Sequence, residues 1–96
     1  MNLEMLKTTT LKYYYQSLTD EINSLLISLD VTKCYKTNYE NKLNLELTET
    51  VRNSYKEFID NYNEKIFLIN YLIGSKEILK KDIKKIIETR NETPEY

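Results

Sequence analysis

The residue pattern predicts a mostly α-helical chain. Two long helices and a short C-terminal one would pack as an antiparallel helical hairpin or three-helix bundle, with a small β-hairpin between helices 1 and 2. Three observations carry this expectation. Apolar residues recur at three- and four-residue steps along most of the chain, as the buried face of a helix requires. Helix-interrupting residues are scarce, with one Gly and one Pro in 96 residues. The composition, 41% apolar and 30% charged, is that of a folding chain and not of a disordered one. A chain this long supports one core, so residues 1–96 are read as a single domain.

Helix 1 is expected over about residues 9–29. At ~100° per residue, Leu11, Tyr15, Leu18, Ile22, Leu25 and Leu29 fall in a stripe roughly 80° wide, and their alternating steps of four and three suit shallow helix packing. Leu3, Met5 and Leu6 are out of phase with that stripe, so residues 1–8 read as a separate turn or arm. Residues 31–47 change character. Val31 to Thr37 is rich in strand formers, and Lys42 to Leu47 alternates polar and apolar, which predicts a β-hairpin with its turn at Thr37 to Asn41. The competing reading starts the second helix near Asn38, but Leu45 has no place on that helical stripe.

Helix 2, residues 48–73, begins with Thr48 as N-cap and Glu49 in its first turn. Its apolar stripe is Leu47, Val51, Tyr55, Phe58, Tyr62, Ile66, Ile69 and Ile73. Gly74 is placed to end it in a left-handed cap, and Ser75 to start helix 3 over 76–90, with Leu79, Ile83, Ile86 and Ile87 on one face. Residues 91–96 read as a tail that Pro94 keeps from continuing the helix.

The chain contains no Ala and only two Arg, against many Lys, Asn, Ile, Leu and Tyr. Those residues have A/T-rich codons, which points to an AT-rich genome such as a low-GC bacterium, its phage or plasmid, a parasite or a ciliate. Cys34 stands alone and cannot form an internal disulfide, in keeping with a reducing compartment. The N-terminus lacks a signal-peptide pattern, and the longest apolar run, Ile66 to Ile73, falls short of the ~20 residues of a membrane span. A cytoplasmic protein is expected, in the host cytoplasm if viral. Asn91-Glu92-Thr93 matches a glycosylation sequon, but with Pro94 after it and no secretory context it carries no weight.

Catalysis is excluded mostly by inventory. With no His, the chain has no imidazole base, no His-activated nucleophile and no imidazole metal ligand. One glycine excludes Gly-rich phosphate loops. Glu57, Asp60 and Glu64 line one side of helix 2 but read as a solvated face beside Lys56 and Lys65. The segment 60–64 lacks the glycine a calcium loop needs. Cys34 has no neighbouring base and reads as packed or incidental. No cofactor, metal or small-molecule substrate is implied, and the chain is read as non-enzymatic.

Two binding surfaces remain. From Ile66 to Ile73 helix 2 is apolar nearly all round, with Phe67 and Tyr71 pointing off the main stripe one turn apart. Tyr13 points outward with Ile27, while Tyr14 and Tyr15 flank the seam. Tyr13, Tyr14, Phe67 and Tyr71 are therefore the candidate partner-binding residues, since rigid aromatics concentrate at protein interfaces. The expected function is a protein–protein interaction module, as a small subunit of a larger assembly or as an inhibitor or accessory protein of a phage or mobile element. Its partner is another protein or itself.

The alternative is a nucleic-acid-binding regulator. Ile69 to Ile83 has the order helix, Gly-Ser turn, basic helix, and Lys80, Lys81, Lys84, Lys85 and Arg90 would contact phosphates. Against it, Glu77 and Glu88 share the basic face, and Lys80 falls where a helix-turn-helix buries an apolar residue.

Overall fold

The computed structural model describes residues 2–92 and is almost entirely helical. A single turn of 3-10 helix, Leu3–Met5, precedes α1, Thr8–Lys42, and α2, Glu49–Glu92. The two long helices lie side by side and antiparallel, joined by the six residues 43–48, in a rod of 75 × 20 × 15 Å. Pro94 and the end of the expected tail lie outside the described residues.

The expected β-hairpin is absent; the described residues contain no strand, and 31–42 continue α1. Strand propensity is a weak preference that packing overrides. Thr32, within the stretch expected as a strand, sits on the buried seam with its hydroxyl donating to the Ser28 carbonyl at 2.7 Å. Tyr35 and Tyr39 then find aromatic partners on α2. The alternating Lys42 to Leu47 stretch is the connection itself, where Leu43 and Leu47 are half-buried and Leu45 is exposed. The competing reading also fails, because these residues lengthen the first helix and not the second.

There is no third helix. α2 runs through Gly74 and Ser75 without a break, and no residue adopts a positive φ, so Gly74 is not a left-handed cap. The steps of four and three along the inner side carry straight through: Tyr62, Ile66, Ile69, Ile73, Lys76, Lys80, Ile83, Ile87 and Arg90 are all buried or half-buried. Two of these are lysines. Their stems lie in the seam while their ammonium groups escape it: Lys76 Nζ reaches Glu21 Oε2 at 2.8 Å, and Lys80 Nζ sits 5.0 Å from the Tyr15 ring centroid.

The lysines divide the core in two. Toward the connection, Ile22, Leu29, Ile69 and Ile73 pack with Leu25 and Ile66; toward the chain ends, Leu11, Leu18 and Ile83 pack with Leu3, Leu6, Tyr15, Ile86 and Ile87. The two arginines of the sequence secure the ends of the rod. Arg52 donates to the carbonyls of Leu43 (2.9 Å) and Leu45 (3.3 Å), groups that a helix end leaves without helical partners. Arg90 donates to the carbonyls of Leu6 (2.8 Å) and Glu4 (2.7 Å) and to Thr8 Oγ1 (3.1 Å), holding the N-terminal turn against α2. Thr48 caps α2, its Oγ1 accepting from the Val51 amide at 3.3 Å.

Candidate partner-binding surface

The four aromatic residues expected to contact a partner are all exposed, and they form two groups. Tyr13 and Tyr14 meet edge to face on α1, centroids 5.7 Å apart, beside the Leu11–Leu18–Ile83 half of the core. Phe67 and Tyr71 are 74% and 64% exposed on α2, beside the Ile69–Ile73 half. The structure does not bring the groups together.

Helix continuity enlarges the second group. Because α2 does not stop at Gly74, Ile78 and Leu79 share its surface with Phe67, Leu68, Tyr71 and Leu72, and all six are exposed. Placed at ~100° per residue, they cover an arc roughly 140° wide on the side turned away from the seam. Contiguous exposed apolar surface of this kind, here running over more than three turns of one helix, marks contact surfaces. The sequence reading found two of the six. The signal for the others was present in the spacing 68, 71, 72, 75, 78, 79, but it is visible only when one helical phase is carried across the glycine.

A third aromatic group lies next to the connection: Tyr55, Phe58 and Tyr62 were expected on the α2 stripe, but their α1 partners Tyr35 and Tyr39 were missed. Tyr39 is half-buried and touches Tyr55, Phe58 and Tyr62 at centroid distances of 5.2, 5.2 and 5.9 Å. Tyr35 stacks on Tyr62 at 6.1 Å, and Lys42 Nζ lies 5.0 Å from the Tyr39 centroid. These rings close the end of the helix pair beside half-buried Leu43, Leu47 and Ile59. The steps from Thr32 to Lys36 and Tyr39 continue the α1 rhythm, so the signal existed and was masked by the strand assignment.

Of the five basic residues, Lys80 lies over Tyr15 and Arg90 is spent on the N-terminal turn. Lys84 pairs with Glu88 at 3.9 Å. Lys81 and Lys85 are exposed. Cys34 is exposed on the outer side of α1. No three acidic or cysteine side chains converge closely enough to hold a metal ion among the described residues. Nor is any helix there long and apolar enough to cross a membrane.

Comparison with protein-family models, with characterised proteins and with solved structures finds no match to this chain. Its surface chemistry is therefore the whole basis for a functional reading.

Proposed function

We propose that the chain is a non-enzymatic protein-binding module whose two helices form an antiparallel coiled-coil hairpin. It would serve as a small subunit of a larger assembly or as an accessory or inhibitory protein of a mobile element. The observation that carries this reading is the apolar arc of α2 between Phe67 and Leu79, which α1 leaves uncovered. A pair of helices has few places to hide apolar surface: among the described residues seven apolar side chains are buried while sixteen large ones stay exposed, these six among them. The surface is suited to receiving another helix by the usual interlocking of side-chain ridges and grooves.

The test is a tagged co-purification of the wild type beside a Phe67→Ser/Tyr71→Ser double variant, with circular dichroism on both. Loss of a stoichiometric protein at unchanged helicity and melting temperature is the expected result. If the variant unfolds, those residues belong to the core; if it captures the same protein equally well, the surface is elsewhere. The nucleic-acid alternative rests on Lys81 and Lys85, with Lys84 shared with Glu88. It predicts duplex DNA binding at low salt that falls steeply as salt rises, and an anisotropy titration without a low-salt signal removes it.

A further inference from the structure

Resting on that protein-binding reading, we infer that the first partner of this surface is a second copy of the chain: two hairpins pack through the outer faces of their α2 helices, antiparallel, about a two-fold axis passing close to Ser75. Three features of the chain point to this occupant.

The middle of the patch is self-complementary, four of its six residues mirroring one another, while Phe67 and Leu68 come level with buried Ile83 and exposed Asp82. Around exposed Ser75, Tyr71 and Leu79 stand at four residues on either side, and Leu72 and Ile78 at three. An antiparallel two-fold contact sets residue against residue in this mirrored order, so that Tyr71 of one copy meets Leu79 of the other and Leu72 meets Ile78. The small Ser75 stands at the axis, where two helices approach most closely. The axis also falls near the middle of α2, so most of the length of the two helices overlaps.

Charge selects the antiparallel orientation. Glu64 lies on the N-terminal side of the patch and Lys85 on the C-terminal side, both exposed and neither in an ion pair among the described residues. In the antiparallel pair Glu64 of one copy comes level with Lys85 of the other, twice by symmetry. A parallel pair would instead set Glu64 against Glu64 and Lys85 against Lys85.

The shape of the chain leaves room for a second layer. A compact monomer of this mass exposes about 5,800 Å², so at 7561 Å² this chain exposes about 1,750 Å² more, spread over the whole rod. Its radius of gyration of 20.8 Å, against about 12.5 Å for a compact chain of 96 residues, has the same origin: the rod is one layer of helices and lacks the second layer on which soluble helical domains are built. A second copy supplies that layer and makes a four-helix assembly.

The experiment is sedimentation equilibrium of the full chain at concentrations from about 1 to 200 μM, with helicity followed by circular dichroism. The wild type is expected at twice the chain mass of 11.5 kDa. Ser75→Glu sets two carboxylates together at the axis, yet leaves an exposed position of the hairpin undisturbed; it is expected at the chain mass with unchanged helicity. Glu64→Lys is expected to weaken the dimer roughly tenfold, and Glu64→Lys combined with Lys85→Glu to restore it, because the swap re-forms both pairs. A wild type that stays monomeric at the highest concentration overturns the inference, as does a Ser75→Glu dimer or a charge swap without rescue. Failure of the broader reading looks different. A monomer that still captures another protein through Phe67 and Tyr71 removes only the homodimer, whereas a monomer that captures nothing removes both.

Discussion

Replacing Gly74 with Ala tests the continuity of α2 directly. Gly74 lies inside α2 with a negative φ, and a Cβ built on it meets nothing within 4 Å, so the methyl group fits without displacing a neighbour. Glycine in a helix interior costs ~1 kcal/mol relative to alanine, because its unfolded backbone has more freedom to lose. Gly74→Ala is therefore expected to stabilise the fold by about 0.5–1 kcal/mol. For a chain of this length that corresponds to a rise in melting temperature of roughly 2–8 °C. The assay is thermal and urea unfolding followed by circular dichroism, at one protein concentration for both proteins so that any association affects them alike. If α2 instead ended at Gly74 in a left-handed cap, the alanine would be strained and would destabilise by a similar or larger amount. That sign would also detach Ile78 and Leu79 from the face carrying Leu68 and Leu72, and the proposed dimer surface would lose two of its six residues.

Three further expectations follow from the packing. Ile83→Ala empties a fully enclosed site, 1% exposed, and should cost about 2–4 kcal/mol in urea unfolding, while Ile78→Ala, 67% exposed, should leave hairpin stability within about 0.5 kcal/mol and act on dimerisation alone. Arg90→Ala removes the three hydrogen bonds from Arg90 to the N-terminal segment; hydrogen exchange at the Met5 and Leu6 amides should accelerate, with a global loss of about 1–2 kcal/mol, and equal protection in the variant would refute the role given to Arg90. Thr32→Val removes a buried hydroxyl bonded only to its own helix and should be neutral or stabilising by up to about 1 kcal/mol; a clear loss of stability by thermal unfolding would mean that the hydroxyl has another role.

Much of the seam was legible in the residue order. Leu11, Leu18, Ile22, Leu29, Ile69, Ile73 and Ile83 stand out at steps of three and four, and all are buried. The Thr48 cap was legible for the same reason, since a cap is made by residues within one turn of each other. The candidate surface was one-third legible: Phe67 and Tyr71 stood off the stripe, but Leu68 and Leu72 were not singled out and Ile78 and Leu79 were assigned to another element.

Each misreading arose where a local preference pointed one way and the partner helix the other. Gly74 and Ser75 have every local mark of a boundary, and Lys76 and Lys80 hide the continuing stripe because lysine is counted as polar. What keeps α2 whole is that Ile83 and Ile87 reach the α1 side chains only if the helix stays in phase, with the lysine stems filling the intervening layers. Val31 to Thr37 is held helical in the same way, by Thr32 on the seam and by the rings of Tyr35 and Tyr39 against Tyr55, Phe58 and Tyr62. Helical character, the buried faces and the caps are set within about one turn of chain and so belong to the sequence alone. Where each helix ends, and therefore which apolar residues share its outer face, was decided by contacts between residues 16 to 86 positions apart, whose combined burial outweighs the ~1 kcal/mol of a local glycine or β-branched preference.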